Sequence, residues 1–132
     1  GSFREVHNPH YNVPVEQINM AVSKKGVIRG LHYQFPGAAK LVWVVKGSIY
    51  DVAYDASTGK YHGQILDAEI GRQMLTPGEY AHGFQALEDD TIVCYAMDTP
   101  YNTQEDHGTN PLNKGIEWPI ADYILSEKDK NA

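Results

Sequence analysis

Between Val15 and Met97 the chain is cut into eight short β-prone runs: Val15–Ser23, Val27–Gln34, Lys40–Lys46, Ser48–Asp55, Tyr61–Ala68, Gln73–Thr76, Ala81–Leu87 and Thr91–Met97. Turn formers stand between them, among them Lys24-Lys25-Gly26, Phe35-Pro36-Gly37, Asp55-Ala56-Ser57-Thr58-Gly59, Pro77-Gly78 and Glu88-Asp89-Asp90. Gly supplies positive φ, Pro fixes its own, and Asp and Ser bond back to the local backbone. No amphipathic helix longer than about two turns separates the runs, so parallel βαβ layers are excluded and an all-β sandwich or barrel is predicted. In Ser48–Asp55, alternation puts Ile49, Asp51, Ala53 and Asp55 on one face and Ser48, Tyr50, Val52 and Tyr54 on the other. His7-Asn8-Pro9-His10 reads as a turn. The chain beyond Asp98 reads as loop, with 120–129 as a short helix or an arm lying on the barrel.

Size and composition narrow the function. At 132 residues, 42% of them hydrophobic and 21% charged, the span 1–132 reads as one domain with a single core. A net charge of −6 and the lack of a Lys/Arg stripe argue against nucleic acid as a partner. No apolar run approaches a membrane span, and no signal-peptide pattern opens the chain. Cys94 is the one cysteine, so no internal disulfide forms, which fits a cytoplasmic setting. Cys94 itself reads as a small buried apolar residue.

Several ionisable residues interrupt the apolar runs: Arg29 and His32 in one strand, Lys40 opening the next, His82 after Pro77-Gly78, Tyr95 within Thr91–Met97, and Arg72 before Gln73. A polar group on a core-facing strand costs roughly 1–3 kcal/mol if unsatisfied. Each residue alone is better explained by a satisfied core position or a solvated edge. Two histidines, a lysine and a tyrosine on four strands of one small barrel together point to a cavity. His32 is followed by Tyr33-Gln34, so the His-x-His pair of a metal-binding cupin is missing and no metal site is expected. Gly-x-Ser-x-Gly and Gly-rich phosphate loops are also absent. What remains is acid–base chemistry next to a carbonyl: a histidine as base, a tyrosine as acid, a lysine facing developing negative charge. Composition alone makes Asp129 a solvated tail charge.

Six ordered blocks carry a resemblance: Val27-Ile28-Arg29-Gly30-Leu31-His32-Tyr33-Gln34, Lys40-Leu41-Val42, Arg72-Gln73, Pro77 to Phe84, Gly115-Ile116-Glu117-Trp118-Pro119 and Leu125-Ser126-Glu127-Lys128-Asp129. Nearly the whole chain, to Asp129, resembles the dTDP-4-dehydrorhamnose 3,5-epimerase family. The resemblance implies a cupin-type β-jelly roll with a short C-terminal arm, working without metal or cofactor on a dTDP-linked 4-keto-6-deoxy sugar. It implies His32 as base, Asp129 as its carboxylate partner, Lys40 at the C4 enolate, Tyr95 as acid and His82 as a further active-site histidine. It also implies Arg29, Gln17 and Asn19 as nucleotide and diphosphate contacts, with Lys128 and Arg72 beside them. Glu5 would act across a homodimer whose subunits exchange N-terminal strands.

The chain departs from the family pattern at Gln17-Ile18-Asn19-Met20, at Trp43 and at Thr109-Asn110-Pro111-Leu112, and the family's start motif is not in view ahead of Gly1. His107-Gly108 and the stretch after it are more similar to the branch that makes unusual deoxysugars, so epimerisation at C3, at C5 or at both stays open. Strict alternation sets Arg29 and His32 on opposite strand faces. Both serve one cavity only if Gly30 is a bulge.

Overall fold

The computed structural model describes residues 1, 3–6, 14–34, 39–100 and 106–132. The elements, in order, are β1 (Gln17–Ser23), β2 (Val27–Gln34), β3 (Lys40–Lys46), β4 (Ser48–Asp55), β5 (Lys60–Asp67), β6 (Met74–Thr76), β7 (Ala81–Ala86), β8 (Thr91–Met97), β9 (Asp106–Gly108), β10 (Ile124–Leu125) and α1 (Glu127–Lys130). β2, β3, β4 and β8 have the bounds their sequence pattern predicts, and β1, β5, β6 and β7 differ by one or two residues at an end. The expected turn at His7–His10 and the stop at Phe35-Pro36-Gly37 lie outside the described residues. The stretch beyond Asp98 is not all loop, since it contributes β9, β10 and α1. Strands of two or three residues have no readable period, and these two exist because β2 offers an edge.

Two sheets face each other. The smaller runs β1-β8-β3-β6; the larger runs β10-β2-β7-β4-β5, with β9 also on β2. Every pairing is antiparallel except β10 on β2. This is the expected jelly-roll sandwich. Val42, Val44, Ile49, Leu66, Met74, Phe84 and Val93 fill the space between the sheets. A second cluster lies on the outer face of the larger sheet, where Ile116 and Trp118 of the C-terminal segment cover Leu31, Val52 and Ala81. Gln85 fastens that segment: Nε2 donates to the Ile120 carbonyl (2.9 Å) and Oε1 accepts from the Ile120 amide (3.0 Å).

The β2–β7 ladder holds the bulge. Arg29 is opposite Phe84 and His32 opposite His82, so three β2 steps match two on β7. Gly30 has φ 129°, and a Cβ there would come within 2.7 Å of Gly83 Cα. Only glycine allows the strands this approach.

The outer face of the smaller sheet is apolar from edge to edge. Ile18, Met20 and Val22 of β1 are opposite Ala96, Cys94 and Ile92 of β8, and Leu41 and Trp43 of β3 are opposite the same Ala96 and Cys94. Of these Met20 is 68% exposed, Ile18 59% and Val22 55%.

Candidate active site

At one end of the sandwich the sheets enclose a cavity of about 460 Å³, lined by Arg29, His32, Lys40, His82, Tyr95, Lys128 and Asp129, with Ala21, Ile28, Phe84 and Leu125 as apolar wall. An adjoining space of about 190 Å³ shares His32, Lys40, Tyr95 and Lys128 and adds Asn19, Gln34 and Met97. His32 and His82 come from the larger sheet, Lys40 and Tyr95 from the smaller one. Two imidazoles thus face a phenol and an ammonium across the cavity.

Each histidine holds a carboxylate. His32 Nε2 is 2.7 Å from Asp129 Oδ1, and the other oxygen, Oδ2, accepts from the Gly30 amide at 3.3 Å. Asp129 is only 5% exposed, so the tail aspartate is a buried site residue. In the neutral ring, an Nε2–H directed at the carboxylate leaves the lone pair on Nδ1. His82 Nε2 is 2.6 Å from Asp51 Oδ1, both groups being buried, while Asp51 Oδ2 has no hydrogen-bond partner among the described residues. Sequence reasoning did not single out Asp51, which holds His82 from behind the cavity wall. Its signal was a carboxylate on the Ile49–Ala53 face, a face the structure turns to the core.

On the opposite wall Lys40 Nζ sits 5.7 Å from the centre of the Tyr95 ring, within cation–π range. That ring is 6.2 Å from the His82 ring. Lys40 is buried at the first position of β3, where its amine reaches the cavity and its stem packs in the wall. Arg29 is exposed at the rim. Its Nε donates to Ser23 Oγ (3.0 Å) and its guanidinium also to the Val22 carbonyl (3.2 Å), which aims the charge. With Lys128 it makes the rim cationic on a chain of net charge −6. The bulge at Gly30 therefore does what the sequence required, bringing Arg29 and His32 to one cavity.

Asn19 lines the adjoining space, and Gln17 donates to its Oδ1 at 2.8 Å. Glu5 and Arg72 are exposed and line neither space of this chain. They flank another corner, where Arg4 donates to the Glu69 carbonyl and Gln73 to that of Val6. Among the described residues no group of three or more His, Cys, Asp or Glu is placed to share a metal ion.

Residues 2–132 match the family model described as dTDP-4-dehydrorhamnose 3,5-epimerase. The chain belongs to this family. It is 36% identical, over 89% of its length, to a dTDP-4-dehydrorhamnose 3,5-epimerase of Mycolicibacterium smegmatis, and 34% identical, over 88%, to a dTDP-4-dehydrorhamnose 3-epimerase of Streptomyces niveus. It spans 63% and 60% of those two proteins. Its fold superposes with a TM-score of 0.91 and 32% identity on RmlC of Legionella pneumophila, a 3,5-epimerase solved with dTDP-4-keto-L-rhamnose. That match covers 98% of this chain and 78% of the other.

Proposed function

We propose that this chain is an epimerase acting on a dTDP-linked 4-keto-6-deoxyhexose, inverting the carbons that flank the C4 ketone. The observation that carries the reading is the division of the cavity, with His32 on one sheet and Tyr95 on the other. Inversion needs a proton taken from one face of a carbon and returned to the opposite face. His32, held by Asp129, removes the proton α to the ketone, and the C–H electron pair moves to the ketone oxygen as an enolate. Lys40 stabilises that oxygen. Tyr95 donates a proton from the far side, the ketone re-forms, and solvent exchange restores both groups. The substrate's own ketone supplies the acidity, so no cofactor enters the scheme. His82, held by Asp51 and beside Tyr95, orients the sugar in this reading. Arg29 and Lys128 meet the diphosphate, and Asn19 with Gln17 the nucleotide end.

A second reading, inversion at C3 alone, is favoured by the Streptomyces niveus relative and by the departures at Thr109–Leu112. We read the working unit as a homodimer of one-domain subunits, with the apolar face of Ile18, Met20 and Val22 against a second copy, because large exposed apolar patches mark contact surfaces. Glu5 then serves across that interface. The lone thiol Cys94 fits a cytoplasmic enzyme. Incubation with dTDP-4-keto-6-deoxyglucose in D2O, read by NMR, tests the activity. Deuterium at C3 and C5 marks a 3,5-epimerase, deuterium at C3 alone the second reading, deuterium at C5 alone a 5-epimerase, and none at either carbon refutes the activity.

A further inference from the structure

Asp129 enters the site on very little structure. It stands in α1, four residues long, after the two-residue β10. A helical turn of that length does not hold itself. Two side chains clamp it. At its start Ser126 is an N-cap: Oγ accepts from the Asp129 amide at 3.1 Å, and the Ser126 carbonyl accepts from the Lys130 amide at 3.0 Å. At its end Asn110 Nδ2 donates to the Lys130 carbonyl at 3.3 Å, while Asn110 Oδ1 accepts from the Leu112 amide at 2.8 Å and fixes its own loop. Between the clamps, the carboxylate bridges His32 Nε2 and the Gly30 amide.

We propose that Ser126 and Asn110 are positioning residues for the His32–Asp129 pair: by gripping both ends of the α1 turn they set the carboxylate and, through it, the tautomer of His32. The proposal rests on the reading of His32 as the base, but its first test needs no substrate. Long-range ¹H–¹⁵N NMR of the full chain reads the His32 tautomer directly. The wild type is expected as Nε2–H, with Asp129→Asn giving the mixed tautomer of an unheld ring. Ser126→Ala, which loses the cap, and Asn110→Asp, which keeps the Leu112 bond but loses the donor, each shift His32 towards that mixture. Ser126→Thr keeps a hydroxyl cap and restores the wild-type spectrum. Deuterium wash-in from D2O falls roughly 2- to 30-fold in the first two variants, the range a lost cap costs a helical turn, and recovers in Ser126→Thr. Ser126 is exposed where it lines the cavity beside Leu125, and the urea midpoint of each variant reports whether the fold is kept. Wild-type tautomer in both Ser126→Ala and Asn110→Asp overturns the proposal. A tautomer that responds in a protein with no wash-in supports the clamp and refutes the proposed activity instead.

Discussion

Lys40 and Tyr95 share a wall, and the proposed mechanism gives them different tasks that substitutions separate. Lys40→Ala removes the cation facing the enolate oxygen and is expected to lower kcat about 10²–10³-fold, by analogy with loss of an oxyanion donor. Tyr95→Phe removes the acid while leaving the base. His32 then takes the proton, exchanges it with D2O and returns a deuteron to the same face, so NMR is expected to find deuterium at the exchanging carbon without inversion. Equal loss of exchange and inversion in Tyr95→Phe would contradict the two-wall arrangement. Tyr50, on the outer face of the larger sheet, carries a pH prediction. Burial, then the Tyr61 charge and hydrogen bond, then Glu117, hold its phenol above the ordinary value. A raised folded-state pKa means that the unfolded chain releases the proton first, from about pH 10 upwards. The stabilisation is complete below that pH and is lost as pH rises through the folded value. The fall in urea midpoint between pH 9 and pH 11 should be smaller in Tyr50→Phe than in the wild type.

At the scale of elements, β2 organises the site. Its bulge turns Arg29 and His32 to one side and offers the Gly30 amide to Asp129. Gly30→Ala would place a methyl against Gly83 Cα in a backbone region that L residues rarely adopt, at a cost on the order of 1–3 kcal/mol. Epimerase activity should fall more steeply than the urea midpoint, since the strain sits at the bulge and not in the core. The longer strands were legible in the sequence because each carries several residues of β pattern between turn formers. The bulge followed from one conflict: Arg29 and His32 serve a single cavity only if alternation breaks at Gly30. β9 and β10 were not legible, because their pairing comes from β2 and not from their own residues. Asp129 looked like a tail charge for a related reason. Its burial is created when α1 docks on β2, a contact with no local signature. Asp51 stood on the face that proved to be the inner one, but alternation alone does not say which face is inner or which strand brings its partner.

Across the whole molecule, the two sheets divide the chemistry, and the smaller sheet's outer face is left apolar. A dimer should be seen in sedimentation velocity at micromolar concentration, and Met20→Asp, which places a charge in the middle of the exposed β1 row of Ile18, Met20 and Val22, should shift it towards monomer without unfolding the subunit. A wild-type monomer at those concentrations would contradict the assembly. The account as a whole turns on His32 as the group that removes the proton. The measurement that tests this most directly is the rate of deuterium wash-in from D2O beside the C4 ketone of dTDP-4-keto-6-deoxyglucose, in wild type and in His32→Ala, with dTDP affinity measured on both. The account predicts a rate about 10²–10⁴-fold lower in His32→Ala with dTDP affinity changed only a few-fold. Wash-in within about twofold of the wild type would place the base elsewhere and contradict the account.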